Sequence, residues 1–384
     1  MIRINLKKSL ILFFIILYSC TGILCSQSQD KYFDSPGFRP QKIHLTVFSP
    51  SVGHLRSLWK LQKENLISLD NLIVVGVYHY KEKTNYRRSK KFIQDNQLGW
   101  VRFHELSADI NKDNLFGPNP LSPEFEKIFQ KSDGIIFFGG ADIPPYLYGE
   151  KTNLLTSIRT PYRHFLELSF AFHLLGGFQD ESYHPLAESA PSIPVLGLCL
   201  GAQTLNVGTG GTLVQDIWSE IYGRTYVEKV IDMPRKNWHF NPYDKLFPQE
   251  NLLHYNLHPI SLQKTGKFCK QMEFKKSDQP YIISSHHQMI EKLGEGLKVT
   301  ATSLDGKVVE AVEHKKYPHV LGTQFHPEFT ILWDKVKKYR ITPEDEKGIN
   351  LNSFLKSHPP SFEFHKKIWS WFSKALADFH KKHR

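Results

Sequence analysis

The sequence predicts an α/β fold: one layered domain with a mostly parallel central sheet and helices on both faces. Three features of the chain point to it. Short apolar segments alternate with stretches of helical period, as expected for buried strands and their crossover helices. Two apolar segments run directly into glycine turns, at Gly139-Gly140 and at Gly197-Leu198-Cys199-Leu200-Gly201. The 384 residues are 40% hydrophobic, enough for one large core, and α/β domains often exceed the usual domain length.

Taken in order, residues 42–49 read as a first strand, 52–66 as a helix and 72–78 as a second strand. Residues 100–106 form a third strand, followed by a helical stretch near 124–131. The run 134–138 is a strand that delivers the Gly-Gly turn. Residues 162–176 are helical, and 193–198 form the strand that enters the cysteine turn. Residues 218–280 mix Pro, Asn, His and aromatics without a clear period and read as connecting segments with short strands. Residues 297–304 and 307–313, joined by Asp305-Gly306, read as an antiparallel pair. At the C-terminus Phe364, Ile368, Trp371, Phe372, Leu376 and Phe379 make an apolar stripe at helical spacing, expected to cover the sheet. The lysines on its other face would also suit a helix lying on a membrane.

In such sheets ligands bind at the carboxyl ends of the strands, where both glycine turns emerge. Gly-x-Cys-x-Gly after an apolar strand is the form of a nucleophile elbow, and the flanking glycines permit a strained turn and close approach of chain. A sulfur at a helix N-terminus is favoured as thiolate. A cysteine nucleophile needs a base, and the base needs a third group to orient it. His326-Pro327-Glu328 supplies both from one rigid turn at the end of another apolar segment. Cys199, His326 and Glu328 are therefore the expected catalytic triad.

Gly-x-Cys-x-Gly followed by His-Pro-Glu resembles the class I glutamine amidotransferase-like superfamily. Further segments resemble its γ-glutamyl hydrolase branch of cysteine peptidases, which includes the γ-glutamyl-γ-aminobutyrate hydrolases. They begin with Gly139-Gly140-Ala141-Asp142-Ile143-Pro144-Pro145-Tyr146. Asn206-Val207-Gly208-Thr209-Gly210-Gly211-Thr212 follows, running on to Gln215-Asp216-Ile217, then His258-Pro259-Ile260 and Ser285-His286-His287-Gln288. The resemblance covers about residues 42–330. It implies a single flavodoxin-like three-layer domain, here residues 42–384, and hydrolysis of a γ-glutamyl amide or peptide bond through a thioester.

It also implies an oxyanion hole from the backbone N–H groups of Gly140 and Leu200, and substrate contacts from Gln203, His287 and Gln288. Arg163 has two readings, a clamp on the substrate α-carboxylate or an ion pair with Glu167 one helical turn away. The family often has Asp where this chain has His164, and the putrescine-pathway hydrolases carry Arg where this chain has Leu200. No cofactor and no metal are expected, because no third ligand at a recognisable spacing accompanies His286-His287.

Residues 1–26 read as a signal peptide, with Lys7 and Lys8 ahead of a short apolar run. Leu17-Tyr18-Ser19-Cys20 also resembles a bacterial lipoprotein box, with Tyr18 departing from the usual small residue. Ordinary cleavage and membrane attachment by lipidation at Cys20 both stand. Export to a bacterial periplasm or envelope is the expected location, with secretion or a lysosomal location as the alternative. The four cysteines, Cys20, Cys25, Cys199 and Cys269, do not form a disulfide framework, and Cys199 and Cys269 are expected to be free. The net charge of +11 drops by three to +8 without Arg3, Lys7 and Lys8, and the remaining basic residues are dispersed. That favours solvated faces over a nucleic-acid partner. A small γ-glutamyl substrate is the expected partner. Two other functions remain open on sequence alone: a glutaminase subunit of an amidotransferase, and a catalytically inactive envelope binding protein.

Overall fold

The computed structural model describes residues 30–383, so the expected leader, Cys20 and Cys25 lie outside the described residues. The first strands are β1 (Ile43–Phe48), β2 (Leu72–His79), β3 (Val101–Leu106), β4 (Gly134–Phe137), β5 (Val195–Leu198) and β6 (Leu213–Val214). They are followed by β7 (Asn256–Leu262), β8 (Tyr281–Ser284), β9 (Met289–Ile290), β10 (Leu297–Ser303), β11 (Val309–His314) and β12 (Val320–Thr323). Ten of them form one sheet in the order β3-β2-β1-β4-β5-β12-β11-β10-β7-β8, and β6 pairs with β9. The run from β3 to β12 is parallel, and the remaining four strands continue it antiparallel.

The longer helices are α1 (Val52–Lys63), α2 (Tyr86–Asp95), α3 (Ser122–Lys131), α4 (Pro161–Leu175), α5 (Leu200–Gly208), α6 (Leu351–Ser357) and α7 (Ser361–His383). Alternation along the strands divides the core. Leu45 and Val47 of β1, Ile136 of β4 and Leu196 of β5 face α1, α6 and α7. Phe48, Ile135, Phe137 and Val195 face α3, α4 and α5. This is the three-layer arrangement that buried parallel strands require.

Helix α7 covers the sheet as expected, but with one correction. Phe364, Ile368, Phe372, Leu376 and Phe379 are buried, whereas Trp371 is only half-buried and Trp369 takes the core position. The Trp369 indole N–H donates to the Pro327 carbonyl at 3.1 Å, so this helix also holds the His326-Pro327-Glu328 turn. Among the described residues no helix is long and apolar enough to cross a membrane. Residues 30–41 join the fold as well, with Tyr32 and Phe33 buried beside His104.

Candidate active site

Strands β4, β5 and β12 lie side by side and end level, with Phe137 opposite Gly197 and Leu198 opposite Thr323. Beyond these ends the chain presents Gly139-Gly140, Cys199 and Gln324-Phe325-His326. The sheet reverses its winding between β1 and β4, which is where an open α/β sheet leaves a crevice. Gly53 and His54, at the start of α1, form the near wall of a cavity of about 400 Å³ that contains Cys199, Gly139, Gly140 and His326.

Cys199 sits at φ +52° and ψ −104°, a backbone conformation that costs about 1–3 kcal/mol and persists only where its surroundings impose it. Its N–H donates to the Thr323 carbonyl at 2.7 Å. Its own carbonyl accepts from the N–H groups of Ala202 and Gln203, starting α5. Close approach explains the flanking glycines. A Cβ on Gly197 would lie 2.5 Å from the Gly201 carbonyl oxygen, and one on Gly201 would overlap the Phe137 carbonyl. The expected elbow is present with its strain localised on the cysteine.

His326 Nδ1–H donates to Glu328 Oε1 at 2.7 Å, and both side chains are buried. The imidazole stacks on Phe329 at 3.9 Å. Burial pulls its pKa down, but the Glu328 carboxylate and the charge and hydrogen bond of the facing Cys199 sulfur together push it up to about 10. Gly139 leaves room for the ring, since a Cβ there would lie 2.9 Å from His326 Cε1. The structure thus brings all three expected triad residues together. Gly140 and Leu200 also meet, a Cβ on Gly140 falling 2.8 Å from Leu200 Cδ2.

The remaining expected residues are placed less uniformly. Gln203 is buried and donates to Gln324 Oε1 at 3.2 Å, and Gln324 Nε2 in turn reaches the Cys199 sulfur at 3.5 Å. Arg163 is 7% exposed and shows the ion-pair reading of the two. Its Nε donates to Glu167 at 2.7 Å, and its terminal nitrogens donate to the carbonyls of Phe138 and Gly139 at 2.7 and 3.1 Å. The guanidinium therefore braces the glycine turn from beneath.

Of the Ser285–Gln288 segment only Ser285 lines the cavity. His287 is held between Asp142, at 3.1 Å from Nε2, and Asp216, at 3.4 Å from Nδ1. Burial lowers its pKa, but the two carboxylates overcome this and raise it to about 9. The Gln288 amide is buried without a hydrogen-bond partner among the described residues. Cys199 and Cys269 are both free thiols.

Several site residues had no assigned role from the sequence. His54 stacks on Phe138 at 4.5 Å and bonds through Nδ1 to the Ser49 carbonyl, and burial with the nearby Arg163 charge lowers its pKa to about 3. Gln324 lies inside the apolar segment that precedes His326. Asp142 and Asp216 fall within the recognised motifs, and only their convergence on His287 shows what they touch. His286, by contrast, faces away from the cavity into a buried group with His239, His258 and Glu310.

The fold and the elbow define a glutamine amidotransferase-type, cysteine-dependent hydrolase. The chain belongs to the peptidase C26 family, whose profile matches residues 118–328, from ahead of α3 to Glu328. A glutamine amidotransferase-like protein of Lactococcus lactis is 31% identical over 238 residues, 61% of this chain and 83% of that protein. A protein of Mycobacterium tuberculosis named as a glutamine amidotransferase is 30% identical over 56% of each chain. A glutamine amidotransferase-like protein of Rickettsia prowazekii is 29% identical over 54% of this chain and 74% of its own.

Proposed function

We propose that the protein is an exported γ-glutamyl hydrolase that cleaves a small γ-glutamyl amide or peptide through a thioester on Cys199. One observation carries this reading: the His326 imidazole, oriented by Glu328, lies in the same cavity as a strained, elbow-borne Cys199. Glu328 fixes the proton on Nδ1 and stabilises the imidazolium, as in Ser-His-Asp systems. The thiolate attacks the γ-carbonyl carbon. The resulting oxyanion is received by the N–H groups of Gly140 and Leu200, and the imidazolium gives its proton to the leaving amine. Water deprotonated by His326 then attacks the thioester, releasing glutamate and the thiolate. Gln203 acts on the nucleophile through Gln324, and Arg163 holds the oxyanion turn in register. Export rests on the leader read from residues 1–26.

The names of the relatives favour a second reading, a glutaminase that hands ammonia to a synthetase. The two differ in what they need. Glutamate release from a panel of γ-glutamyl dipeptides, γ-glutamyl-γ-aminobutyrate, polyglutamylated folate and glutamine, with Cys199→Ala as control, decides between them. Cysteine-dependent release without a partner supports the hydrolase. Release from glutamine alone, and only with a partner added, supports the glutaminase. No release, with Cys199 also inert to iodoacetamide, leaves a binding protein.

A further inference from the structure

Outside the cysteine cavity the interior holds a second set of converging donors. His239, His258 and Glu310 are fully buried, and His286 is 5% exposed. They come from four separate segments: the stretch ahead of β7, β7 itself, the β8–β9 connection and β11. Glu310 is the hub. Its Oε1 lies 3.1 Å from His239 Nδ1 and 3.6 Å from His258 Nε2, and its Oε2 lies 3.9 Å from His286 Nε2. The ligand atoms of His239, His258 and Glu310 all fall within 4.8 Å of one another.

Hydrogen bonding does not account for this arrangement. Both carboxylate oxygens of Glu310, both ring nitrogens of His239 and Nε2 of His286 lack a hydrogen-bond partner among the described residues. Burying a carboxylate without donors costs several kcal/mol, and native interiors seldom leave such groups unmatched. The tautomers point the same way. His286 Nδ1 faces the Gln288 carbonyl at 2.9 Å, and His258 Nδ1 faces the Pro259 carbonyl at 3.3 Å. A carbonyl only accepts, so in both rings Nδ1 carries the proton and Nε2 turns a lone pair toward Glu310. A backbone carbonyl on the far nitrogen is how proteins orient metal-ligating imidazoles. The one competing contact is Ser284 Oγ, 2.7 Å from His258 Nε2.

We propose that His239, His258, His286 and Glu310 form a closed, structural site for a divalent zinc ion. Three imidazole nitrogens and one carboxylate suit zinc. With bonds of about 2.0–2.1 Å, a tetrahedral ion sets neighbouring ligand atoms roughly 3.3 Å apart, close to the 3.1 and 3.6 Å from Glu310 Oε1 to His239 and His258, while His286, 3.9 Å from Oε2, must move inward to complete the set. Hard oxygen-seeking cations are poorly served by three nitrogens. All four side chains are buried, which closes the site to substrate, so the ion acts as a staple. It ties the irregular 218–280 region to β11. There the Glu310 carbonyl accepts from the Gln324 N–H at 2.8 Å, two residues before His326.

The test is the metal content and melting of the purified full-length protein, which does not depend on any substrate assignment. About one zinc per chain should survive gel filtration. Its removal by chelator should lower Tm by roughly 5 °C or more, and zinc but not magnesium should restore it. His239→Ala and Glu310→Gln should reduce the zinc to near zero, while Cys199→Ala should keep it. If those buried-site variants do not fold, cobalt-loaded wild type decides. Intense tetrahedral d–d absorption without a thiolate charge-transfer band supports the site. A chain that takes up no zinc or cobalt and whose Tm ignores both zinc and chelator overturns it. So does zinc that is lost in Cys199→Ala but kept by Glu310→Gln.

Discussion

Arg163 donates from Nη1 to the Gly139 carbonyl at 3.1 Å, while its Nε is ion-paired with Glu167 at 2.7 Å. A buried cation is thus fixed by one carboxylate and in turn fixes the backbone that bears Gly140. Arg163→Lys keeps the charge but cannot reach three acceptors in one plane. It should lower kcat by about tenfold or more with little change in KM, because a shifted oxyanion donor acts on the transition state. Steady-state glutamate release and a thermal melt on the same variant check this. A raised KM at unchanged kcat would instead reveal a clamp on the substrate carboxylate.

Glycine at position 140 is required by its neighbours. A Cβ there would lie 2.8 Å from Leu200 Cδ2 and overlap the Arg163 guanidinium. Gly140→Ala should displace the turn and reduce kcat by roughly 10²–10³, the usual cost of one lost oxyanion donor. Alkylation of Cys199 by iodoacetamide should continue in this variant, since the thiol and His326 are untouched.

In the proposed reaction the charge on His326 should set the alkaline limit of activity. Burial alone would lower its pKa, but Glu328 and Cys199 raise it to about 10 from the ordinary 6.5. The imidazolium that protonates the leaving amine is present below that value and is lost as pH rises through it. The kcat/KM profile should therefore hold through neutrality and fall near pH 10. Glu328→Gln removes the nearest anion and the tautomer control. It should drop kcat by about 10²–10⁴ and move the alkaline limb toward neutral pH. An unmoved limb would assign that ionisation to another group.

Glu82 offers a stability test away from the chemistry. It accepts from the Tyr86 hydroxyl at 2.5 Å and the His79 N–H at 2.8 Å. Burial nevertheless raises its pKa from 4.5 to about 7. A raised folded-state value means the protonated form is favoured on folding. Its contribution is full below pH 4.5, declines as pH rises toward 7, and is gone above. Glu82→Gln keeps the shape and stays neutral. It should match wild type at pH 4 and exceed it at pH 8 by up to roughly 3 kcal/mol in urea melts. Equal midpoints at both pH values would remove Glu82 as a source of the pH dependence.

The parallel half of the sheet was readable because β2, β4 and β5 are short apolar runs bounded by turns, as burial on both faces requires. Strands β1 and β3 open with apolar residues at alternate positions despite His44, Thr46, Arg102 and His104. Cys199, His326 and Glu328 were readable for a related reason. Each lies within a few residues of a strand end, in a local pattern that the chemistry itself demands. Trp369 and Trp371 show the limit. Both fit a helical stripe, and only the position of Pro327 across the interface decides which indole is buried. Gln203 was visible as a helix residue near the nucleophile. Its contact with Gln324, 121 residues away in the chain, was not.

Local events are written in the chain: where strands stop, where a glycine pair must bend, and which nucleophile, base and acid stand at those bends. Those depend on backbone sterics and on neighbours within a turn or two. Which side chains share a site across the chain depends on the packing of the fold. That packing turned Arg163 inward to brace the Gly139-Gly140 turn, set Asp142 and Asp216 on either side of His287, and gathered His239, His258 and His286 around Glu310. Such groupings follow from how the sheet and its connections pack, and no spacing along the chain encodes them.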